Sequence, residues 1–224
     1  MQISGAIFDM DGTLIDSMYY WRNAGLFYLT DLGITPPDNY GELVRNRTLE
    51  QTAILFHDVF AVSKAPEQIV GDIFAVMEWA YREKVQLKPG AAELLAGLRQ
   101  RGVKMALATA TDRALLEPVL KKLDIWQYFD YTICCREAGT DKNHPQIFEQ
   151  ALAALGAGKK ETPVFEDSYH AICTAQQAGF PTIAVADYSN QTLREQIIAA
   201  ADLFLDDLTD FPWEQMTFPR NKEA

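Results

Sequence analysis

The sequence predicts an α/β protein, a doubly wound parallel (Rossmann-like) sheet with a small all-helical domain inserted after the first strand. Three observations carry the prediction. Short apolar runs rich in β-formers alternate with longer helical stretches, the order that yields a parallel sheet with right-handed crossovers. Several of those runs are almost continuously apolar, as suits strands buried on both faces. The interval from about residue 17 to residue 83 shows helical periodicity and no convincing strand. The sheet domain is therefore expected over residues 1–16 and 84–224, and the helical domain over 17–83.

In chain order, the first strand is expected at Ile3–Phe8, and helices near Met18–Leu32, Tyr40–His57 and Pro66–Arg82 fill the insert. The aromatic residues Tyr19, Tyr20, Trp21, Phe27 and Tyr28 read mostly as core between those helices. Lys88-Pro89-Gly90 punctuates the return to the sheet and opens a helix over Ala91–Arg101, stopped by Gly102. A strand at Val103–Ala108 leads to a helix at Arg113–Leu123 with Asp112 as its N-cap. A strand at Tyr131–Cys134 follows, then a helix at Pro145–Leu155 closed by Gly156. Thr162–Phe165 and Thr182–Ala186 are strands on either side of a helix at Tyr169–Ala178 closed by Gly179. A helix at Thr192–Ala200 and a weaker strand at Leu203–Leu205 complete the pattern, and Arg220–Ala224 reads as a frayed tail.

Composition narrows the function classes. At 224 residues the chain can bury the core of one large domain plus a modest insert. With 48% apolar and 23% charged residues it is neither disordered nor collagen-like. Twenty basic against 31 acidic residues, a net charge of −11, argues against a nucleic-acid partner, which calls for basic patches. A small phosphorylated ligand stays open, because one positive pocket or a bound cation suffices for it. Cys134, Cys135 and Cys173 are odd in number and lack CxxC spacing, which points to buried thiols in a reducing compartment and away from disulfides or zinc. No basic leader precedes the apolar start and no stretch approaches a membrane span. The expectation is a soluble cytoplasmic protein without a membrane partner, monomeric or a weak homo-oligomer.

Ligands of open parallel sheets bind beyond the carboxyl ends of the strands. Asp9-Met10-Asp11-Gly12-Thr13 follows the first strand, Thr109-Ala110-Thr111 the second and Glu166-Asp167-Ser168 the fourth, with Lys142 just before the helix at Pro145. Four carboxylates, the two hydroxyls of Thr109 and Thr111 and one ammonium thus converge on one rim. Adjacent carboxylates repel and need a divalent cation or shared protons. Oxygen-only ligands without His or Cys select a hard ion such as Mg²⁺. A phosphoryl group needs its charge held by a cation, an ammonium, hydroxyls and backbone amides, so the set suits phosphoryl transfer. Gly12 lets the backbone curl tightly after the carboxylates.

Asp9-Met10-Asp11-Gly12-Thr13-Leu14 with Asp16-Ser17 resembles the DxDGTLxDS signature of the haloacid dehalogenase superfamily. Thr109 is similar to its second motif, Lys142 to its third and Glu166-Asp167-Ser168 to its fourth, with a helical cap inserted as in the β-phosphoglucomutase and phosphoglycolate phosphatase branch. The resemblance implies an Mg²⁺-dependent phosphatase acting on a small phosphorylated metabolite such as a sugar phosphate. It implies Asp9 as nucleophile and Asp11 as general acid and base, with Thr109 and Lys142 binding the phosphoryl group. It further implies a metal held by Asp9, the Asp11 carbonyl and Asp167 with Glu166 nearby, and a cradle from the amides of Met10, Asp11 and Ala110 beside Thr111.

The departures bear on specificity. The third motif reads Lys142-Asn143-His144-Pro145 in place of K-P-x-P, which should loosen that loop. Trp21 stands where the mutase has a cap histidine, Arg45, Arg47 and Thr48 replace its specificity segment, and Thr13 is the phosphatase residue. These favour hydrolysis over a sugar-phosphate mutase. A phosphonate hydrolase would need a Schiff-base lysine, for which Lys64 is the only interior cap lysine, and a non-catalytic relative would have lost Asp9, Asp11 or Asp167. Trp21, Arg45 and Arg47 are the candidate cap contacts to substrate, though a solvated turn describes Arg45-Asn46-Arg47 equally well. Glu137 reads as a plain surface charge, and His57, His144 and His170 as structural.

Overall fold

The computed structural model describes residues 1–44 and 47–219. Among them six strands form one parallel sheet: β1 (Gly5–Phe8), β2 (Lys104–Thr109), β3 (Tyr131–Cys134), β4 (Val164–Glu166), β5 (Thr182–Val185) and β6 (Leu203–Leu205), in the order β3-β2-β1-β4-β5-β6. The order reverses between β1 and its neighbours β2 and β4, the switch point where a parallel sheet opens a crevice at its carboxyl ends. The predicted fold class holds, and the strands lie where the apolar runs placed them. Residues on β1, β4 and β5 are buried throughout, which explains runs without alternation.

The α-helices are α1 (Met18–Asp31), α2 (Tyr40–Val44), α3 (Leu49–Asp58), α4 (Pro66–Glu83), α5 (Ala91–Gln100), α6 (Arg113–Lys122), α7 (Cys135–Ala138), α8 (Gln146–Leu155), α9 (Tyr169–Gln177) and α10 (Arg194–Ala200). The chain divides into two compact units, Met1–Asp16 with Val85–Ala224, and Ser17–Lys84. In the sheet unit, Ile7, Ala106, Ile133 and Val164 pack with Ile147 and Phe148 of α8 and Ala171 of α9. Each such fully buried large side chain contributes about 1.5–3 kcal/mol of burial free energy. Phe8 and Phe165 stack at 4.3 Å across β1 and β4, directly beneath the residues that end those strands.

Four local expectations need correction. The single helix expected at Tyr40–His57 is two, because the Thr48 hydroxyl accepts the Gln51 amide and the Gln51 side-chain oxygen accepts the Thr48 amide, a capping box that starts α3 afresh. The helix expected from Thr192 begins as a 3₁₀ turn over Tyr188–Leu193, because the Asp187 carboxylate accepts the Ser189 amide. Asp112 occupies the N-cap position of α6 but makes no side-chain cap bond, and pairs with Arg136 at 3.8 Å instead. Of the aromatic set, Tyr28 is buried and stacks on Phe56, while Tyr19 is 51% exposed. No described helix is long and apolar enough to cross a membrane.

Candidate active site

The segment after β1 is folded by its own backbone. The Met10 carbonyl accepts the amides of Leu14 and Ile15, the Gly12 amide donates to Ile15, and Gly12 sits at φ +81°, a left-handed conformation that a side chain disfavours. The Asp9 amide donates to the Phe165 carbonyl, locking this loop onto the end of β4. The pairing of β1 with β4 therefore delivers Asp9 beside Glu166 and Asp167.

Lys142 lies between two of these carboxylates. Its ammonium donates to Asp9 Oδ1 and, at 2.6 Å, to Glu166 Oε1, with all three side chains less than a tenth exposed. The other oxygen of Glu166 accepts the Asp167 amide at 3.0 Å and both the amide and hydroxyl of Ser168 at 2.9 Å. Glu166 thus receives four donors, about the full capacity of a carboxylate, and serves as a brace for the lysine and the turn after β4. The Asp167 carboxylate is held at 2.7 Å by Asn190 Nδ2, which also reaches the Asp167 carbonyl.

The loop carrying Lys142 differs from expectation. Asp141 accepts both the Asn143 amide at 2.9 Å and its side-chain N–H at 3.0 Å. This Asx-type turn fixes the loop, and a proline at 143 could not donate the amide bond. Asn143 therefore supplies two hydrogen bonds to the loop where the family pattern has a proline.

Electrostatics follow from burial. Desolvation raises the Asp9 carboxyl well above the usual range, with Lys142 opposing and Glu166 and Asp11 adding to the rise. Burial likewise raises Asp167, helped by the charges of Glu166 and Asp9. Burial works against the Lys142 ammonium too, but Asp9 and Glu166 outweigh it and hold its pKa above the ordinary lysine value. For Glu166, burial is outweighed by Lys142 and the Ser168 donors, so its pKa is lowered. Three carboxylates against one ammonium leave a net charge of 1 − 3 = −2 when all are ionised. Oxygen atoms of Asp9, Glu166 and Asp167 lie within 4.8 Å of one another. An oxygen-only buried cluster that reaches this charge once fully ionised fits a hard divalent cation, whose charge favours that ionisation.

The remaining predicted residues fall into two groups. Thr109 is fully buried and its hydroxyl accepts the Thr111 amide at 3.1 Å. Thr111 donates its hydroxyl to Asp11 at 2.7 Å, so it orients that carboxylate across the gap between the first and second strands. The Asp11 carboxylate stands outside the three-residue oxygen cluster. The Met10 side chain belongs to the core, and Ala110 is exposed at the rim. In the helical unit, Trp21 donates to the Tyr81 hydroxyl at 2.9 Å and Arg47 to the Leu43 carbonyl at 2.7 Å. Both line a cavity of about 550 Å³ with Arg22, Tyr40 and Ile73. Arg45 lies outside the described residues.

Sequence reasoning missed Asn190 and Lys88. Asn190 stands just beyond the end of β5 on the same rim, a position the strand-end rule could have flagged. Lys88 follows no strand and gave no such signal. Glu137, expected as a solvated charge, accepts from Arg113 at 2.8 Å and from the Cys134 amide at 3.1 Å.

The family profile of haloacid dehalogenase-like hydrolases matches residues 3–207. Hexitol phosphatase B of Escherichia coli (strain K12) is 28% identical over 218 residues, covering 93% of this chain and 94% of its own. Pyrophosphatase PpaX of Bacillus cereus (strain AH820) is 28% identical over 221 residues, covering 94% and 95%. Among solved structures, a β-phosphoglucomutase candidate from Thermotoga maritima matches with a TM-score of 0.80 at 23% identity, covering 91% of this chain and 94% of its own, a likeness of fold.

Proposed function

The chain belongs to the haloacid dehalogenase-like hydrolase family, and on that premise we propose that it is an Mg²⁺-dependent phosphatase of small phosphorylated metabolites, sugar phosphates or similar. The observation that carries this reading is the buried Asp9–Lys142–Glu166–Asp167 constellation at the carboxyl rim of the sheet. Curated relatives named as phosphatases point the same way.

In this reading the Asp9 carboxylate attacks phosphorus, the bond to the leaving oxygen breaks, and Asp11 donates the proton that the leaving alcohol takes. Asp11 then removes a proton from water, whose oxygen attacks the phosphorus of the aspartyl-phosphate, freeing inorganic phosphate and the Asp9 carboxylate. Thr111 holds the Asp11 carboxyl for both proton transfers. Lys142 and the Thr109 hydroxyl bind the phosphoryl oxygens, and the amides of Met10, Asp11 and Ala110 complete the cradle. Mg²⁺ would be held by Asp9, Asp167 and the Asp11 carbonyl, with the saturated Glu166 reached through water, and would supply neutralisation of the charge spreading over the phosphoryl group. The helical unit over residues 17–84 acts as a cap that selects the organic part of the substrate, through Trp21 and Arg47. The free thiols suit a reducing compartment such as the cytoplasm.

The test is phosphate release across a panel of phosphorylated sugars, polyols and nucleosides with Mg²⁺. Steady release that Asp9→Asn abolishes is expected. Release unchanged by Asp9→Asn overturns the mechanism, and isomerised product without free phosphate overturns the hydrolase reading.

A further inference from the structure

A second, largely enclosed lysine sits at the same rim without touching the reacting groups. The Lys88 side chain is 10% exposed and its ammonium has three acceptors: the Gly12 carbonyl at 2.7 Å, the Ala186 carbonyl at 2.6 Å and Asp187 Oδ2 at 3.1 Å. An ammonium has three protons, so this tripod uses all of them. Its backbone is anchored as well, since the Lys88 amide donates to Leu14 and the neighbouring Leu87 bridges Ile15.

Each foot of the tripod leads to a different part of the site. Gly12 belongs to the loop that carries Asp9 and Asp11. Ala186 and Asp187 begin the turn after β5, where Asp187 Oδ1 accepts the Ser189 amide and its carbonyl accepts the Asn190 amide. Asn190 in turn grips Asp167. A continuous polar chain therefore runs from the nucleophile loop through Lys88, Asp187 and Asn190 to Asp167. The lysine also satisfies the carbonyls of Gly12 and Ala186, so removing it costs stability as well as alignment, and the two effects are separated by reading metal affinity and kcat in folded variants.

We propose that Lys88 is a positioning residue, which sets the spacing of the Asp9–Asp11 loop against the Asp167 carboxylate by tying Gly12 to the Asp187–Asn190 turn. The inference rests on the proposed phosphatase reading for its kinetic arm, and stands apart from it for its binding arm. An arginine cannot replace the tripod, since its planar fork does not converge three donors on one point.

The experiment compares wild type, Lys88→Met/Asp187→Asn, Lys88→Arg and Asp9→Asn, using p-nitrophenyl phosphate hydrolysis, Mg²⁺ titration by calorimetry, and thermal melting. The double variant removes both charges, so no buried ion is stranded. For a folded variant the expected result is kcat lowered about tenfold or more and Mg²⁺ affinity weakened about tenfold, with KM for the ester within about threefold, the signature of a displaced support to ligands. A purely structural lysine would shift the melting temperature and leave kcat and Mg²⁺ affinity at wild-type values, and that outcome in a folded variant overturns the assignment. If the double variant does not fold, Lys88→Arg, which keeps the charge pair, decides by the same criteria. If wild type hydrolyses the ester no faster than Asp9→Asn, the phosphatase reading fails, and the Mg²⁺ affinities of the Lys88 variants alone judge the positioning role.

Discussion

At the rim of the sheet, Asp9, Lys142, Glu166 and Asp167 come from three separate segments and are 7%, 6%, 1% and 4% exposed. In the helical unit, Arg47 is exposed and bonds to a carbonyl four residues back, while Trp21 joins α1 to α4 through Tyr81. At the rim, topology determines which residues meet: a parallel sheet with this strand order must bring the ends of β1, β2 and β4 together. The chemistry of the helical unit depends on side-chain choices that no backbone rule imposes. At the rim charge and geometry are therefore fixed together, whereas the polar lining of the helical unit is set residue by residue.

This contrast can be broken or sharpened by substitution. The largest effect belongs to Asp9→Asn, expected to lower kcat by about 10⁴-fold or more without a comparable change in stability, as read by steady-state kinetics beside a melting curve. Lys142→Ala should cost both activity and fold, because it leaves Asp9 and Glu166 buried without their cation: a stability loss of about 3 kcal/mol in urea titration is expected. A loss under about 1 kcal/mol would mean the carboxylates are already neutral without the lysine.

Ligand linkage comes next. Mg²⁺ at a hundredfold its Kd should raise stability by about 2.7 kcal/mol, with EDTA reversing the gain and Asp167→Asn removing most of it. Equal stabilisation of the Asp167 variant would place the ion elsewhere. In the helical unit, Trp21→Phe loses the bond to Tyr81 and should cost about 1 kcal/mol, with kcat on p-nitrophenyl phosphate close to wild type. A kcat loss as deep as that of Lys142→Ala would erase the distinction between the two regions.

The smallest effect is the Arg113–Glu137 pair flanking β3. Hydrogen bonding from Arg113 holds the Glu137 carboxyl at about 2, down from its ordinary 4.5. A depressed carboxylate stabilises the fold above pH 4.5, and that contribution disappears as the pH falls from about 4.5 to about 2. Because the side chain is 37% exposed, the contribution is screened to about 0.5–1 kcal/mol. Glu137→Gln should therefore be less stable than wild type at pH 7 and indistinguishable from it near pH 2, as followed by urea titration at each pH.

Much of the sheet unit was legible because its signals are local and its assembly rule is strict. The run Ile3–Phe8 suited a strand buried on both faces, which the structure forms over Gly5–Phe8, and it placed Asp9 at the strand's end. Asn190 and Lys88 were not legible, because their roles depend on which carbonyls and carboxylates a turn presents in space. The Asx turn at Asp141–Asn143 was not foreseen for a related reason: a missing proline is visible in sequence, whereas the hydrogen bonds formed in its place are not. In the helical unit the helices were found, but the break at Thr48 escaped notice because continuous apolar periodicity masks a capping box. What Trp21 and Arg47 do could not be read at all from spacing, since either could equally be packing or solvated turn.

The central claim is that Asp9 receives the phosphoryl group. Its most direct test is to mix enzyme, Mg²⁺ and a turned-over phosphate ester, quench within the first turnovers, reduce with borohydride and map the peptide spanning Ile3–Leu14 by mass spectrometry. Reduction of an acyl phosphate converts its aspartate to homoserine, so homoserine at position 9, dependent on substrate and absent from Asp9→Asn, is the predicted result. Full activity with residue 9 unmodified, or with the label at Asp11 or Asp167, would contradict it.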